Sequence, residues 1–295
     1  MGPRVRRWLP GLLLVLPSIV LIAVFVYGLI GWNIGISLTD RTTIRPATGF
    51  VGLDNYARLL TEGRFLHSLR NLLLYTGVFL VGTMVFGVLW ALLLEKGVKG
   101  EGFFRSTYLF PMAVSFVASG VVWRWLLNSA QGERASGLNQ LFHLLGLDVL
   151  ANPWWSDPHW GMAAMALPAI WQLSGYVMAL FLAGFRGIPN ELREAARVDG
   201  ASEWKIYRYV LFPQLSPVAL SALIIIGHMS LKVFDLIMAV SGPIYLTEVP
   251  ATYMWTTLLS FNYAKAAAIA TILLVVVAVL VIPYLVYNHR VEQRR

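Results

Sequence analysis

Six uncharged apolar runs, each of membrane-spanning length, leave this chain of 295 residues few folds to choose from. They fall at about residues 12–32, 71–94, 106–123, 161–185, 215–231 (or on to 238) and 266–287. At a rise of about 1.5 Å per residue, each helix would cover most or all of a ~30 Å hydrocarbon core. Composition agrees: 58% of residues are hydrophobic and only 13% charged, too few charges for the surface of a soluble domain of this size. There is no cysteine, which excludes disulfides and thiol chemistry. The expected class is an all-α integral membrane protein with six transmembrane helices.

The first run follows Arg4, Arg6 and Arg7, as in a secretory signal. The uncharged stretch continues from Trp8 to Thr39, longer than a signal core and without a small-residue cleavage site, so a retained anchor is expected. The net charge of +8 would suit a nucleic-acid ligand, but the positions of the charges give it another meaning. Fourteen Lys and Arg fall in the N-terminus, the loops after spans two and four, and the C-terminus. Nine, Arg45 among them, fall on the opposite side. The positive-inside bias places both termini in the cytoplasm and leaves no call for nucleic acid.

The two long outer loops run over about 33–70 and 124–160. The second holds "NPWWSDPHWG", where Trp154, Trp155 and Trp160 offer indole faces to a sugar or form an interfacial aromatic belt. The belt is the simpler reading.

The stretch "ELREAARVDGASEWKIYR", residues 191–208, puts eight charged residues between two apolar spans. Pro189 and Asn190 are helix-start residues, and Glu191 and Glu194 follow where carboxylates suit the helix dipole. Leu192, Ala195, Ala196 and Asp199 recur at helical spacing as a small, weakly apolar face that another surface can approach closely. Gly200 is expected to break the helix in a conformation that a side chain opposes. Ser202 then caps a second short helix whose Trp204, Tyr207 and Leu211 share a face. Pro213 and Pro217 mark the start of span five. Two readings stay open on physics alone: a docking knob for a cytoplasmic partner, or an interfacial spacer between two spans.

"EAARVDGASEWKIYRYVLFP", residues 194–213, resembles the EAA loop of binding-protein-dependent ABC transporter permeases. Glu194, Ala195, Ala196, Gly200 and Pro213 match that pattern at its spacing, with Val210 in place of Ile and Phe212 in place of Leu. "VGLDNYARLL", "GLNQLF", "LAGFRGIPNELREAARVDGAS" and "KVFDLIMAVSGP" are similar to segments of the carbohydrate branch, in its maltose F-type or glycerol-phosphate A-type permeases. The last is poorer in glycine than is usual there.

The resemblance implies the type I ABC importer permease fold with a cytoplasmic coupling helix. Glu194, Ala195, Ala196, Asp199 and Gly200 would engage a cleft of an ATPase subunit. It implies as partners a second permease subunit, two ATP-binding subunits, an extracytoplasmic solute-binding protein and a sugar or related polyol. The domain division that follows is a cytoplasmic N-terminus at 1–8, the first span and outer loop at 9–70, a permease core at 71–288 holding the EAA loop at 189–213, and a cytoplasmic C-terminus at 289–295. No phosphate loop ending in Gly-Lys-Ser/Thr is present, so no cofactor is expected on this chain, and ATP and Mg²⁺ fall to the ATPase partners.

His228, Lys232 and Asp235 fall at i, i+4 and i+7, expected on one face of span five with Ser221. Ionisable residues at such depth face a bundle interior or a water-filled path, although a Lys232–Asp235 pair that only anchors the membrane edge explains those two equally well. Gln172 and Tyr176 form a polar stripe on span four that suits a sugar. Together with Ser230, these residues are the candidates for the substrate path.

The five histidines are scattered without metal-ligand spacing. An enzyme acting on lipid-linked sugars would need Asp148 and Asp157 to form a paired acidic site, and would leave the EAA spacing a coincidence. A permease for a phosphorylated polyol is the nearer alternative.

Overall fold

The computed structural model describes residues 3–44, 49–130 and 132–292; Arg45, Arg294 and Arg295 of the charge count lie outside them. Among the described residues the architecture is helical, with one isolated bridge between Thr39 and Phe50. Among these residues four helices are long and apolar enough to span a membrane, and the count is six when each of two bent helix pairs is taken as one span.

The helices are α1 (Leu14–Ser37), α2 (Asp54–Thr61), α3 (Gly63–Glu95), α4 (Glu101–Ala113), α5 (Phe116–Leu126), α6 (Gly137–Leu144) and α7 (Gly161–Arg186). Then come α8 (Asn190–Val198), α9 (Glu203–Gln214), α10 (Ser216–Leu231), α11 (Asp235–Val240), α12 (Pro250–Leu259) and α13 (Tyr263–Glu292).

The chain divides into two compact units. The first comprises 1–62 and 254–275. Within it the Asn33 amide donates to the Ala267 carbonyl at 3.1 Å and to Thr271 Oγ1 at 3.0 Å, so one polar side chain ties α1 to α13. Asn55 donates to the carbonyls of Ser37 and Thr39, both at 2.8 Å, and fastens α2 to the end of α1.

The second unit, 63–253 and 276–295, is built on α3 against α7. Small residues set this contact. A Cβ at Gly82 would run into Ile170, and one at Gly87 into Val177. At Gly175 a Cβ would overlap the Tyr108 carbonyl of α4. Apolar burial alone does not distinguish helix partners inside a membrane, so close backbone approach at glycines carries much of the association.

Two expectations from the sequence need correction. The third span is not one helix: α4 and α5 meet at 97°. Pro111 sits in a 3₁₀ turn, Val114 is extended, and the Ser115 hydroxyl accepts the Ala118 N–H as an N-cap. A capped restart after proline outweighs the apolar continuity of 106–123.

Span five ends at Leu231, with Lys232 as its C-cap, and Asp235 opens the separate helix α11. Lys232 and Asp235 therefore do not continue the His228 face, and among the described ion pairs they do not pair with each other. Boundaries shift as well. α3 begins eight residues before the apolar run, so Arg64, His67 and Arg70 ride on the helix and not in a loop.

Candidate functional site

The charged segment forms α8, opened by Pro189 in an extended conformation. It closes in a Schellman turn: the Ala201 N–H reaches the Ala196 carbonyl at 2.9 Å, and the Gly200 N–H reaches that of Arg197 at 3.0 Å. Gly200 has φ +76°, with open space around it, so backbone conformation and not packing calls for glycine there. Glu191, Leu192, Glu194, Ala195, Val198 and Asp199 are exposed, Val198 by 88%, while Arg193 and Ala196 are half-buried. One face of the helix is thus bare and partly apolar, and the other rests on the bundle.

The inner contact involves residues that sequence reasoning missed. Glu95, the last residue of α3, has a side chain only 4% exposed and is ion-paired with Arg193 of α8. It also accepts a hydrogen bond from the Tyr207 hydroxyl of α9 at 2.5 Å. Around this node lie exposed pairs: Arg197 to Glu203 at 2.9 Å and Lys96 to Glu203 at 3.5 Å. The Arg197 hydrogen bond holds the Glu203 carboxyl below the usual carboxylate range. The one sequence cue was Glu95 itself, a carboxylate closing an otherwise uncharged run. Nothing in the sequence chose its partner among the nearby arginines. The expected inner face of α9 also changes, because Trp204 is 73% exposed while Ile206 and Leu211 are buried.

A cavity of about 200 Å³ lies between α3, α5, α7, α10 and α11, lined among others by Tyr75, Phe116, Leu173, Ser230, Lys232 and Asp235. That volume is below the roughly 300–1,000 Å³ of ordinary small-ligand sites. Of the substrate-path candidates, the cavity brings together Ser230, Lys232 and Asp235. The Ser230 hydroxyl donates to the Gly227 carbonyl at 2.7 Å.

Gln172, Tyr176 and His228 do not line the cavity. Gln172 is buried and its amide donates to the Val114 carbonyl at the break in span three, leaving its own oxygen buried without a partner. Tyr176 is half-buried. The Nδ1 of His228 is also buried without a partner.

Beyond α11, a second buried carboxylate grips the other end of α3. Glu248, with a fully buried side chain, takes a two-pronged contact from Arg64 at 2.7 and 2.8 Å. The Arg64 guanidinium also stacks over Tyr253 at 4.7 Å. Asn71 donates to the carbonyls of Leu246 and Glu248, and His67 stacks on Tyr245 at 4.3 Å.

The tryptophans of the 124–160 loop divide. Trp154 donates its indole N–H to the buried Asn139 at 2.8 Å and stacks on Phe142, so it is structural. Trp155 buries its N–H without a partner, and only Trp160 is exposed in the manner of a belt. Asp148 contacts His143 at 2.7 Å, while Asp157 accepts the N–H groups of His159 and Trp160, so each acid is engaged in its own local contact.

Apolar spans, a cavity between helices carrying both charge signs and one bare charged helix tied to the bundle define a multi-pass membrane protein of the transport class. The chain belongs to the family of binding-protein-dependent transport system inner membrane components, whose model matches residues 67–295. It is 42% identical over 286 residues to the probable ABC transporter permease protein PH1215 of Pyrococcus horikoshii, covering 96% of this chain and 97% of that one. It is 35% identical over 276 residues to the xylose/arabinose import permease protein XacH of Haloferax volcanii, covering 92% and 85%. A chain in the crystal structure of a bacterial alginate ABC transporter has the same fold, with a TM-score of 0.78 at 24% identity, covering 95% and 93%. The expected all-α permease fold is therefore the observed one, and the chain is a permease subunit.

Proposed function

We propose that this chain is one transmembrane subunit of an ATP-driven importer for a sugar or related polyol. The observation that carries the coupling role is α8. Its exposed Glu194 and Ala195, half-buried Ala196 and left-handed Gly200 turn fall at the EAA positions, on a helix whose other face is held by Glu95. Bare Leu192 and Val198 beside Glu194 suit insertion into a cleft of a cytoplasmic ATPase subunit, with Glu194 meeting a basic group or backbone amides. ATP and Mg²⁺ belong to that partner. The sugar class draws support from XacH, named for xylose and arabinose import.

The cavity holding Ser230, Lys232 and Asp235 supplies part of a translocation path. Its volume fits a path completed by a second, related permease. An extracytoplasmic binding protein delivers substrate, and ATP-driven closure of two ATPase subunits pushes α8 and switches the path between sides by rigid-body helix movement. In this reading both termini are cytoplasmic and the chain catalyses no bond change. The separate engagements of Asp148 and Asp157 leave the paired acidic site of a membrane enzyme without support.

The test is a Glu194→Ala, Gly200→Pro double variant in the assembled transporter. Sugar uptake and retention of the ATPase on purification should both fall. Wild-type uptake with wild-type assembly would sink the coupling assignment. Screening a panel of pentoses, hexoses and polyols against the cognate binding protein decides the substrate.

A further inference from the structure

Among the described ion pairs, the two most buried carboxylates are Glu95 and Glu248, with 4% and 0% of their side chains exposed. Both pairs sit on α3, at its opposite ends. Glu95 closes the helix and holds Arg193 of α8; Arg64, its second residue, holds Glu248 in the segment after α11. They are held on one continuous helix of 33 residues with no proline, about 50 Å long at ~1.5 Å per residue.

A buried carboxylate that loses its cation is left uncompensated away from water, so each pair resists parting and tends to move as one body. The exposed pairs around α8, such as Lys96–Glu203, lack that property because water and salt replace either partner cheaply. The grips are reinforced by Tyr207 at the Glu95 end and by Asn71, with its two carbonyl contacts, at the other.

We infer that α3 is a rigid link that carries the displacement of α8 to the 241–249 segment on the opposite side of the membrane, with Arg193–Glu95 and Arg64–Glu248 as its two joints. The inference rests on the reading of α8 as the coupling helix. It assigns positioning roles to Glu95, Arg193, Arg64 and Glu248, none of which belongs to the EAA pattern. The segment it drives directly follows α11, whose first residues, Asp235 and Leu236, are in the cavity wall. A push on α8 would then reach α11 and its side of the cavity through the far end of α3. Coupling of this kind needs an element both sites can bias, and a continuous helix jointed at each end supplies one.

The chain has no cysteine, so labels at introduced cysteines report only their own sites. In the full transporter, spin labels at Val149→Cys and Pro243→Cys, both exposed, give a distance across the 241–249 side. ATP with vanadate is expected to shift that distance in the otherwise wild-type complex. The shift should vanish in Glu95→Gln and in Arg64→Gln, with the ATPase still bound and still hydrolysing ATP. A wild-type shift in both variants overturns the link. Should Glu95→Gln shed the ATPase, Arg64→Gln, at the far end of α3, decides alone, and a wild-type shift there overturns the link equally. No shift in a wild-type complex that hydrolyses ATP and takes up sugar overturns the link as well, whereas a wild-type complex that binds no ATPase and takes up no sugar refutes the reading of α8 as the coupling helix, which is a different failure.

Discussion

Gln172 of α7 donates its side-chain amide to the backbone carbonyl of Val114, the residue at which span three breaks. A broken helix inside a membrane frees carbonyls that lipid cannot satisfy, and a buried side chain from the neighbouring helix answers one of them. Gln172→Ala should therefore destabilise the protein by about 1 kcal/mol. That lies between the ~0.6 kcal/mol average for interhelical bonds in membranes and the ~1–3 kcal/mol for an orphaned buried group. Thermal unfolding in detergent measures it; an unchanged midpoint would show that the break holds without this bond.

Gly175→Val should be far more damaging. The first atom of any side chain there overlaps the Tyr108 carbonyl, and backbone cannot yield as a flexible side chain does. The expected cost is at or above the upper end of the ~1–3 kcal/mol typical of overpacking. Yield of folded, membrane-inserted protein is the readout, with Gly63→Val, where nothing lies within 4 Å, as the tolerated control.

Glu194→Ala and Gly200→Ala should separate function from folding. Glu194 is exposed, so its loss should change stability by no more than ~0.5 kcal/mol while uptake collapses. Alanine at Gly200 has room but must adopt φ +76°, at a cost of roughly 1–2 kcal/mol. Paired melting and uptake measurements test both, and equal loss in the two assays for Glu194→Ala would make its role structural.

Asp235→Asn and Lys232→Met should raise the KM for uptake by roughly 10- to 100-fold while assembly persists. A hydrogen bond to a charged group contributes about 1.5–3 kcal/mol, and both residues line the cavity. Gln172 and Tyr176, outside its wall, should affect KM less. Transport kinetics in proteoliposomes distinguish the two sets.

Asp157 gives a pH dependence. The N–H groups of Trp160 and His159 bind its carboxylate and hold its pKa below the ordinary value. The folded state therefore favours the ionised form. Its contribution is fully present above the unfolded pKa and disappears as pH falls through the lowered folded pKa. Asp157→Asn should flatten the acid side of a stability–pH curve and leave the neutral side with a small constant loss.

The membrane class, the number of spans and the charged helix followed from the sequence alone, because they rest on local properties: uncharged length, proline, glycine and helical spacing. Gly200 illustrates this, since the need for a left-handed turn after α8 is written within a few residues. The break at Val114 was also locally signalled, by Pro111 and Ser115, but apolar continuity across 106–123 masked it. At Lys232 helical spacing alone likewise hides the end of the helix, where this residue is the C-cap.

Tertiary structure alone decided the pairings. Arg193 has Glu95 as its partner from nearly 100 residues earlier in the chain, and Arg64 has Glu248 from farther still. Charge type limits which residues can pair, but only the packing of α3 against its neighbours, set by where glycines let backbones meet, brings a particular arginine to a particular carboxylate. That packing divided the substrate-path candidates as well, placing Ser230, Lys232 and Asp235 around one cavity and Gln172 at a helix break.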